Sequence, residues 1–281
     1  VYIAQWASVA GKKEAEGPLG HGFDIKSMDT KFGEKTWEQA EKKMQQLALN
    51  KLLQKARLKA GDIDLVCSGD LLNQCIGSSF TLRNTGIPHI GLYGACSTMA
   101  ESLIVGSMFI EGGFGKNVAC ATGSHFSSSE RQFRNPLELG SQRQTYSQWT
   151  VTGMGCSILS SEGVGPRITH LTIGTVVDYG VKDIANMGGA MAPSAANTLV
   201  SFFSDTKTSP ADYDLILSGD LGKLGSDVLR DLMALKGYPL GQNYSDCGHS
   251  IYTSLQKTFQ GGSGAGASAF VLNSYLIEKL K

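Results

Sequence analysis

The sequence is short of charge: 25 Lys and Arg balance 25 Asp and Glu over 281 residues, and charged side chains make up only 18% of the chain. That balance leaves no basic field for nucleic acid and no acidic tail, which sets nucleic-acid binding aside. No apolar run reaches the roughly 18 residues that span a bilayer, and no basic flank precedes the apolar stretch over residues 1–10. The chain reads as a soluble, cytoplasmic-type protein. Its six cysteines, Cys67, Cys75, Cys96, Cys120, Cys156 and Cys247, contain no C-x-x-C pair. Several sit in strand-like runs such as Leu65-Val66-Cys67, so reduced, buried thiols fit better than a disulfide framework. The histidines His21, His89, His125, His170 and His249 show neither H-x-H nor H-E-x-x-H spacing, and no metal site is expected. Gly115-Lys116 lacks the rest of a P-loop, and Gly261-Gly262-Ser263-Gly264-Ala265-Gly266 lacks the following Lys-Ser/Thr, so no nucleotide cofactor is expected either.

Glycine is what the chain has in excess. Its 35 glycines are nearly twice the usual share of about 7%, and without a collagen period they suit an α/β protein with many tight strand–helix turns. The most informative pattern is internal. Asp62-Ile63-Asp64-Leu65-Val66-Cys67-Ser68-Gly69-Asp70-Leu71 returns 150 residues later as Asp212-Tyr213-Asp214-Leu215-Ile216-Leu217-Ser218-Gly219-Asp220-Leu221, identical at seven of ten positions. Each copy reads as a short buried strand ending in Ser-Gly-Asp after a helical stretch. Cys96 and Cys247 fall at nearly the same offset.

Two copies of a βαβ-type unit imply duplicated, pseudo-symmetric halves rather than a solenoid, which needs at least three shorter repeats. The expected architecture is a five-layered α/β fold: residues 1–165 as the first half, with an insertion over 123–148, and 166–281 as the second. Strands are expected over 63–68, 89–92, 117–122, 150–159, 170–177, 215–218 and 265–272, and helices over 37–58, 97–110, 192–203, 226–235 and 250–258. The chain stops before any second-half counterpart of Val118-Ala119-Cys120-Ala121-Thr122-Gly123, so the second half is expected to lack its last strand. An apolar strand edge at 117–122 is expected to pair between two copies in a homodimer.

Cys96 lies in Leu92-Tyr93-Gly94-Ala95-Cys96-Ser97-Thr98, a small-residue elbow between strand and helix. A thiol at a helix N-terminus faces unpaired N–H groups and the positive end of the dipole, which suits either a nucleophile or an anion site. The bland alternative is a small buried residue that lets strand and helix pack closely. His249 and Asp246 gain weight because the repeat sets them beside the counterpart of Cys96, and His125 is a weaker candidate after its strand.

Duplicated halves, a Cys at the elbow and a late Gly-x-Gly segment resemble the thiolase fold of condensing enzymes. Glu16-Gly17-Pro18-Leu19-Gly20, Gly94-Ala95-Cys96-Ser97-Thr98-Met99, Met191-Ala192-Pro193, Ser218-Gly219-Asp220-Leu221-Gly222, Asp246-Cys247-Gly248 and Gly261-Gly262-Ser263-Gly264 together resemble the stage V sporulation protein AD family. The resemblance implies a soluble component of the machinery that moves dipicolinate (pyridine-2,6-dicarboxylate), as its calcium chelate, into the forespore. Membrane-embedded subunits of the stage V sporulation A machinery would be its partners, placing it peripherally at the forespore inner membrane. The same resemblance aligns Gly219 with the catalytic His, and Asp246 with the Asn, of third-type ketoacyl synthases. A Cys without those partners is ill equipped for decarboxylative condensation. The expected ligand residues are Cys96, Ser97, His125, Ser218, Gly219, Asp220, Asp246, His249 and Gly264. The alternative is an active acyltransferase with Cys96 as nucleophile and His249 as base.

Overall fold

The computed structural model describes residues 1–133 and 142–280. They begin with β1 (Tyr2–Ala10), α1 (Lys12–Ala15), β2 (Ile25–Lys26) and α2 (Trp37–Ala56). Next come β3 (Leu65–Gly69), α3 (Ile76–Leu82), β4 (His89–Gly91), α4 (Thr98–Glu111), β5 (Asn117–Ser124) and α5 (Phe126–Phe133). After β6 (Trp149–Thr150) and β7 (Gly153–Ser160) follow α6 (Met187–Thr206), β8 (Ile216–Ser218), α7 (Gly222–Leu235), β9 (Tyr244–Asp246) and α8 (Cys247–Ile251). The last elements are β10 (Gly262–Ser263), α9 (Ala265–Val271), a π-helical turn over Leu272–Leu276, and α10 (Ile277–Lys279). Two compact units result, one of Val1–Ser141, Thr150–Thr169 and Gly264–Lys281, the other of Gln142–Trp149 and His170–Ser263.

In the first unit a six-stranded sheet has the order β2-β1-β7-β5-β3-β4. Its strands alternate apolar residues to two covered faces. Val66, Ala119 and Ala121 join Met44, Ala48 and Leu52 of α2 in one core. Their neighbours Leu65, Cys67, Val118 and Cys120 join Met99 and Ile110 of α4 in another. Period-2 alternation thus feeds both sides of a sheet sandwiched between helices. The strand expected at a dimer edge is central instead: β5 pairs in parallel with β3 and antiparallel with β7. The exposed edge on that side is β4, which pairs with β3.

The second unit packs α6, α7 and the parallel pair β8–β9 around Phe203, Leu229, Met233 and Tyr244. The repeat holds in detail. α2 and α6 are both 20 residues long, 150 residues apart, and each ends on a non-glycine residue in the left-handed region, Arg57 and Lys207, both at φ 56°. A 3-10 turn follows at Ala60–Asp62 and again at Pro210–Asp212. In each the carboxylate of the third residue accepts the cap N–H at 2.7 Å, Lys59 to Asp62 and Ser209 to Asp212.

Several expected elements differ. The expected strand over 265–272 is helix α9, entered through Gly264 at φ 100°, a conformation that ends the preceding extended chain. Residues 170–177 form no regular element. The strands lying wholly within the second unit's 170–261 stretch, β8 and β9, pair with each other, so this run has no ladder to join, and Ile173 and Val176 stand exposed. The helix expected over 250–258 is split into α8 and a 3-10 turn at Ser254–Gln256, which Lys257 closes in the left-handed region. Within the expected insertion over 123–148, residues 126–133 are helical and 134–141 lie outside the described residues.

Candidate functional site

In the first unit β4 runs into the elbow that presents Cys96. Ala95, a non-glycine residue, adopts φ 50°, and a 3-10 turn over Ala95–Ser97 leads into α4. The turn is tied by its own hydroxyls, Ser97 Oγ donating to the Gly94 carbonyl at 2.8 Å and Thr98 Oγ1 to the Ala95 carbonyl at 2.7 Å. Glu101, in the first turn of α4, folds back over Gly94, where a Cβ would stand 2.3 Å from a carboxylate oxygen. A side chain at Gly94 would displace the Glu101 carboxylate, and the left-handed Ala95 next to it is the kind of local strain that clusters at functional sites. The elbow packs against α9, the helix that Gly264 caps. Of the six thiols, Cys96 alone is half-buried; the other five are buried. Burial pushes Cys67 up to about 11 and raises Cys75, Cys120, Cys156 and Cys247 as well.

His125 is held by groups of the protein itself. Its Nε2 lies 2.7 Å from the Thr30 carbonyl, its Nδ1 accepts the Ser127 N–H at 3.2 Å, and Trp37 and Phe32 flank the ring. Both nitrogens are used, Nε2 as donor, and burial holds the imidazole below its ordinary pKa.

In the second unit Asp246 is fully committed. Its Oδ1 accepts N–H bonds from Gly222 at 3.0 Å and His249 at 3.1 Å, and its Oδ2 accepts from Leu221 N–H at 2.9 Å and Ser218 Oγ at 2.7 Å. The carboxylate thus caps the starts of both α7 and α8 and is 1% exposed; burial raises its pKa and the four donors pull it back. Four donors saturate the acceptor sites of a carboxylate. Asp246 has no lone pair left for calcium and, as a carboxylate, no N–H for an oxyanion. Gly219, half-buried, has no side chain to offer. Asp220 is buried, and its carbonyl accepts from Gln148 Nε2. His249 is tied to Asp246 only through its backbone, and its imidazole is exposed.

Cys247 is not the counterpart of Cys96. It follows β9 directly, whereas residues 92–95 separate β4 from Cys96. The register shows the true correspondence: Val66 faces His89 as Ile216 faces Tyr244, and Ser68 faces Gly91 as Ser218 faces Asp246. A serine hydroxyl reaches across each pair, Ser68 to His89 Nε2 at 2.9 Å and Ser218 to Tyr244 Oη at 2.8 Å.

Sequence reasoning missed a buried polar cluster in the first unit. Asp70 accepts from Leu72 N–H, Ser78 N–H and Ser78 Oγ, and Glu41 accepts from Ser128 Oγ at 2.5 Å. Glu41 Oε1 and Gln45 Nε2, one helical turn apart, are buried without partners. Burial, with Asp70 nearby, holds Glu41 well above the ordinary carboxylate range. The recurring Ser-Gly-Asp was the available signal.

All 281 residues match the sequence profile described as stage V sporulation protein AD. The chain belongs to that family. Stage V sporulation protein AD of Bacillus subtilis is 42% identical over 281 residues, which span 100% of this chain and 83% of that relative. Among solved structures, OleA of Xanthomonas campestris superposes with a TM-score of 0.63 at 14% identity, covering 99% of this chain and 89% of the other. The 3-oxoacyl-[acyl-carrier-protein] synthase III of Aquifex aeolicus gives 0.59 at 12% identity, covering 99% and 90%. These likenesses show a thiolase-like fold shared with condensing enzymes, and nothing about chemistry. Within the family's chain, no helix among the described residues is long and apolar enough to cross a membrane.

Proposed function

We propose that this family member is a non-catalytic thiolase-fold protein that binds dipicolinate, the ligand that travels as its calcium chelate, for uptake into the forespore during sporulation. The commitment of Asp246 carries the reading. A condensing enzyme needs a proton carrier and an oxyanion donor beside its nucleophile; here one of the aligned positions is Gly219 and the other is a carboxylate spent on four donors. The family's place in sporulation supports the ligand, and the retained elbow supports a binding role for Cys96, Ser97 and Gly264. Ser218, Gly219, Asp220 and Asp246 shape the helix starts that carry His249. Membrane-embedded subunits of the stage V sporulation A machinery are the proposed partners, holding the protein at the forespore inner membrane. A homodimer paired through β4 covers the open edge.

Calorimetric titration of the purified chain with dipicolinate tests this directly: saturable heat is expected, and its absence overturns the reading. The second reading, an acyltransferase with Cys96 as nucleophile and His249 as base, is favoured by the strained elbow at Ala95. A thioester on Cys96 after exposure to acetyl-CoA would establish it.

A further inference from the structure

The buried polar cluster of the first unit is used by neither the elbow nor the Asp246 cap. Glu41 is wholly buried on the face of α2 that otherwise carries Ala40, Met44 and Ala48 into the core. Its Oε2 lies 2.5 Å from Ser128 Oγ on α5, and its Oε1 has no partner among the described residues. Gln45 Nε2, one turn further along α2, has none either. The shared frame of the two copies does not ask for this pair: 150 residues on, Met191 and Ala195 stand at the matching positions of α6. A polar pair buried at such a cost in one copy alone is not a requirement of the fold.

No charge around Glu41 relieves it. Asp70, which follows β3, accepts from the Leu72 N–H and from the N–H and hydroxyl of Ser78, and as a carboxylate it repels a second negative charge. α3 carries no charged residue. Glu38, one turn before Glu41, is bonded at 2.5 Å to Arg131, the one cation among the described residues of α5. Glu130 of α5 is bonded to Thr150 Oγ1, and His125 to Thr30 and Ser127. Glu41 is therefore neutral where it stands, and to ionise it needs water.

Of the walls around it, α5 buries the least apolar surface. Its buried residues are Ser128, Ser129 and Glu130, with Phe126 half-buried and Phe133 exposed, whereas α2 buries Ala40, Met44, Ala48, Leu49 and Leu52. Lifting α5 away costs little apolar burial, and lifting α2 would open the core. α5 also reaches beyond the cluster. Gln132 Oε1 accepts the Asn73 N–H at 3.1 Å, in a loop over residues 72–75 that lines a cleft of 570 Å³ with Ser79, His89 and Tyr93. Gln74 and Cys75 of that loop are non-glycine residues in the left-handed region, at φ 60° and 51°, so its strained shape rests on such ties.

We propose that α5 is a proton-operated latch on α2. A neutral Glu41 lets it close; an ionised Glu41 draws in water and lifts it, and Gln132 then lets go of the loop that lines the cleft. Opening passes the carboxyl proton of Glu41 to water, and closing takes it back.

Amide hydrogen exchange of the full chain from about pH 4 to about pH 9, with intrinsic rates divided out, tests the latch. Below the ordinary glutamate value of 4.5 the α5 amides should keep one protection factor; above it protection should fall by up to about tenfold per pH unit, levelling off once Glu41 ionises in the closed state. At every pH α5 should be at least about tenfold less protected than α4, because it opens without the core, and the Asn73 amide should follow α5. Glu41→Gln should flatten the α5 profile. Ser128→Ala removes a bond but not the titration, so it should lower α5 protection about fivefold throughout and leave the slope in place. Equal protection of α5 and α4 would mean that α5 leaves only when the unit unfolds, which overturns the latch. A pH slope that survives in Glu41→Gln overturns it too. Should the glutamine variant fail to fold, the wild-type profile decides alone, and a flat one overturns the proposal.

Discussion

Ser218 donates its hydroxyl to Oδ2 of Asp246 at 2.7 Å, between residues that face each other directly in the β8–β9 register. The carboxylate thereby joins a strand pair to the starts of two helices, which is a folding role. Asp246→Ala strands three backbone N–H groups and one hydroxyl, so it should destabilise the chain by about 3 kcal/mol or more. Asp246→Asn keeps one acceptor oxygen but sets an N–H₂ against donors, and should cost less than alanine yet still measurably. Urea unfolding of the three proteins checks the order; unchanged stability in the alanine variant would refute the capping role.

Cys96 should be the thiol that reacts first. Native protein treated with iodoacetamide is expected to gain one adduct, on Cys96, while the five buried thiols wait for unfolding. Acetyl- or malonyl-CoA should add nothing to the intact mass, because no aligned acid or oxyanion donor stands ready.

Glu41 gives a pH dependence of definite sign. Its folded-state pKa lies well above the ordinary glutamate value of 4.5, so between the two values the folded chain holds a proton that the unfolded chain has released. That contribution is whole below 4.5 and is lost as pH rises toward the folded value, at up to about 1.4 kcal/mol per pH unit. Glu41→Gln removes the titration, so its stability relative to wild type should improve as pH rises above 4.5. Parallel pH curves for the two proteins would contradict this.

The open edge of β4 bears on assembly. Ile90 is 41% exposed on a strand that pairs with β3 on one side. A lysine there is a common device against edge pairing. If two copies join through β4, Ile90→Lys should convert a dimer into a monomer in sedimentation at micromolar concentration, without loss of secondary structure.

The repeat was legible to the residue: an offset read from ten positions locates a second 20-residue helix, a second 3-10 turn and a second strand, although that strand is only partly buried where the first is wholly so. The elbow was legible too, from the run of small residues Gly94-Ala95-Cys96-Ser97 that leads into α4. The small, apolar run over 265–271 was not, since a buried helix and a buried strand of that length share the same pattern. Alternation over 170–177 announced a strand that needs a neighbour the second unit's own strands do not supply. Asp246 was legible as important but not in what way: a carboxylate after a strand suits a ligand and a double helix cap equally well, and only the four donors decide. Gln260 reaches the Leu224 N–H at the start of α7 from 36 positions away, a contact that no local pattern announces.

The twin left-handed helix ends have a use beyond the fold. Arg57 and Lys207 occupy the same backbone conformation at the same place in two copies of one design. Glycine at either site should relieve local strain by about 1 kcal/mol. Arg57→Gly and Lys207→Gly are therefore matched probes, one in each unit, each acting on its own half's melting. A single transition that both variants raise alike would mean that the halves melt as one thermodynamic body. Two transitions, each answering to its own variant, would mean that the duplicated copies kept separate stabilities.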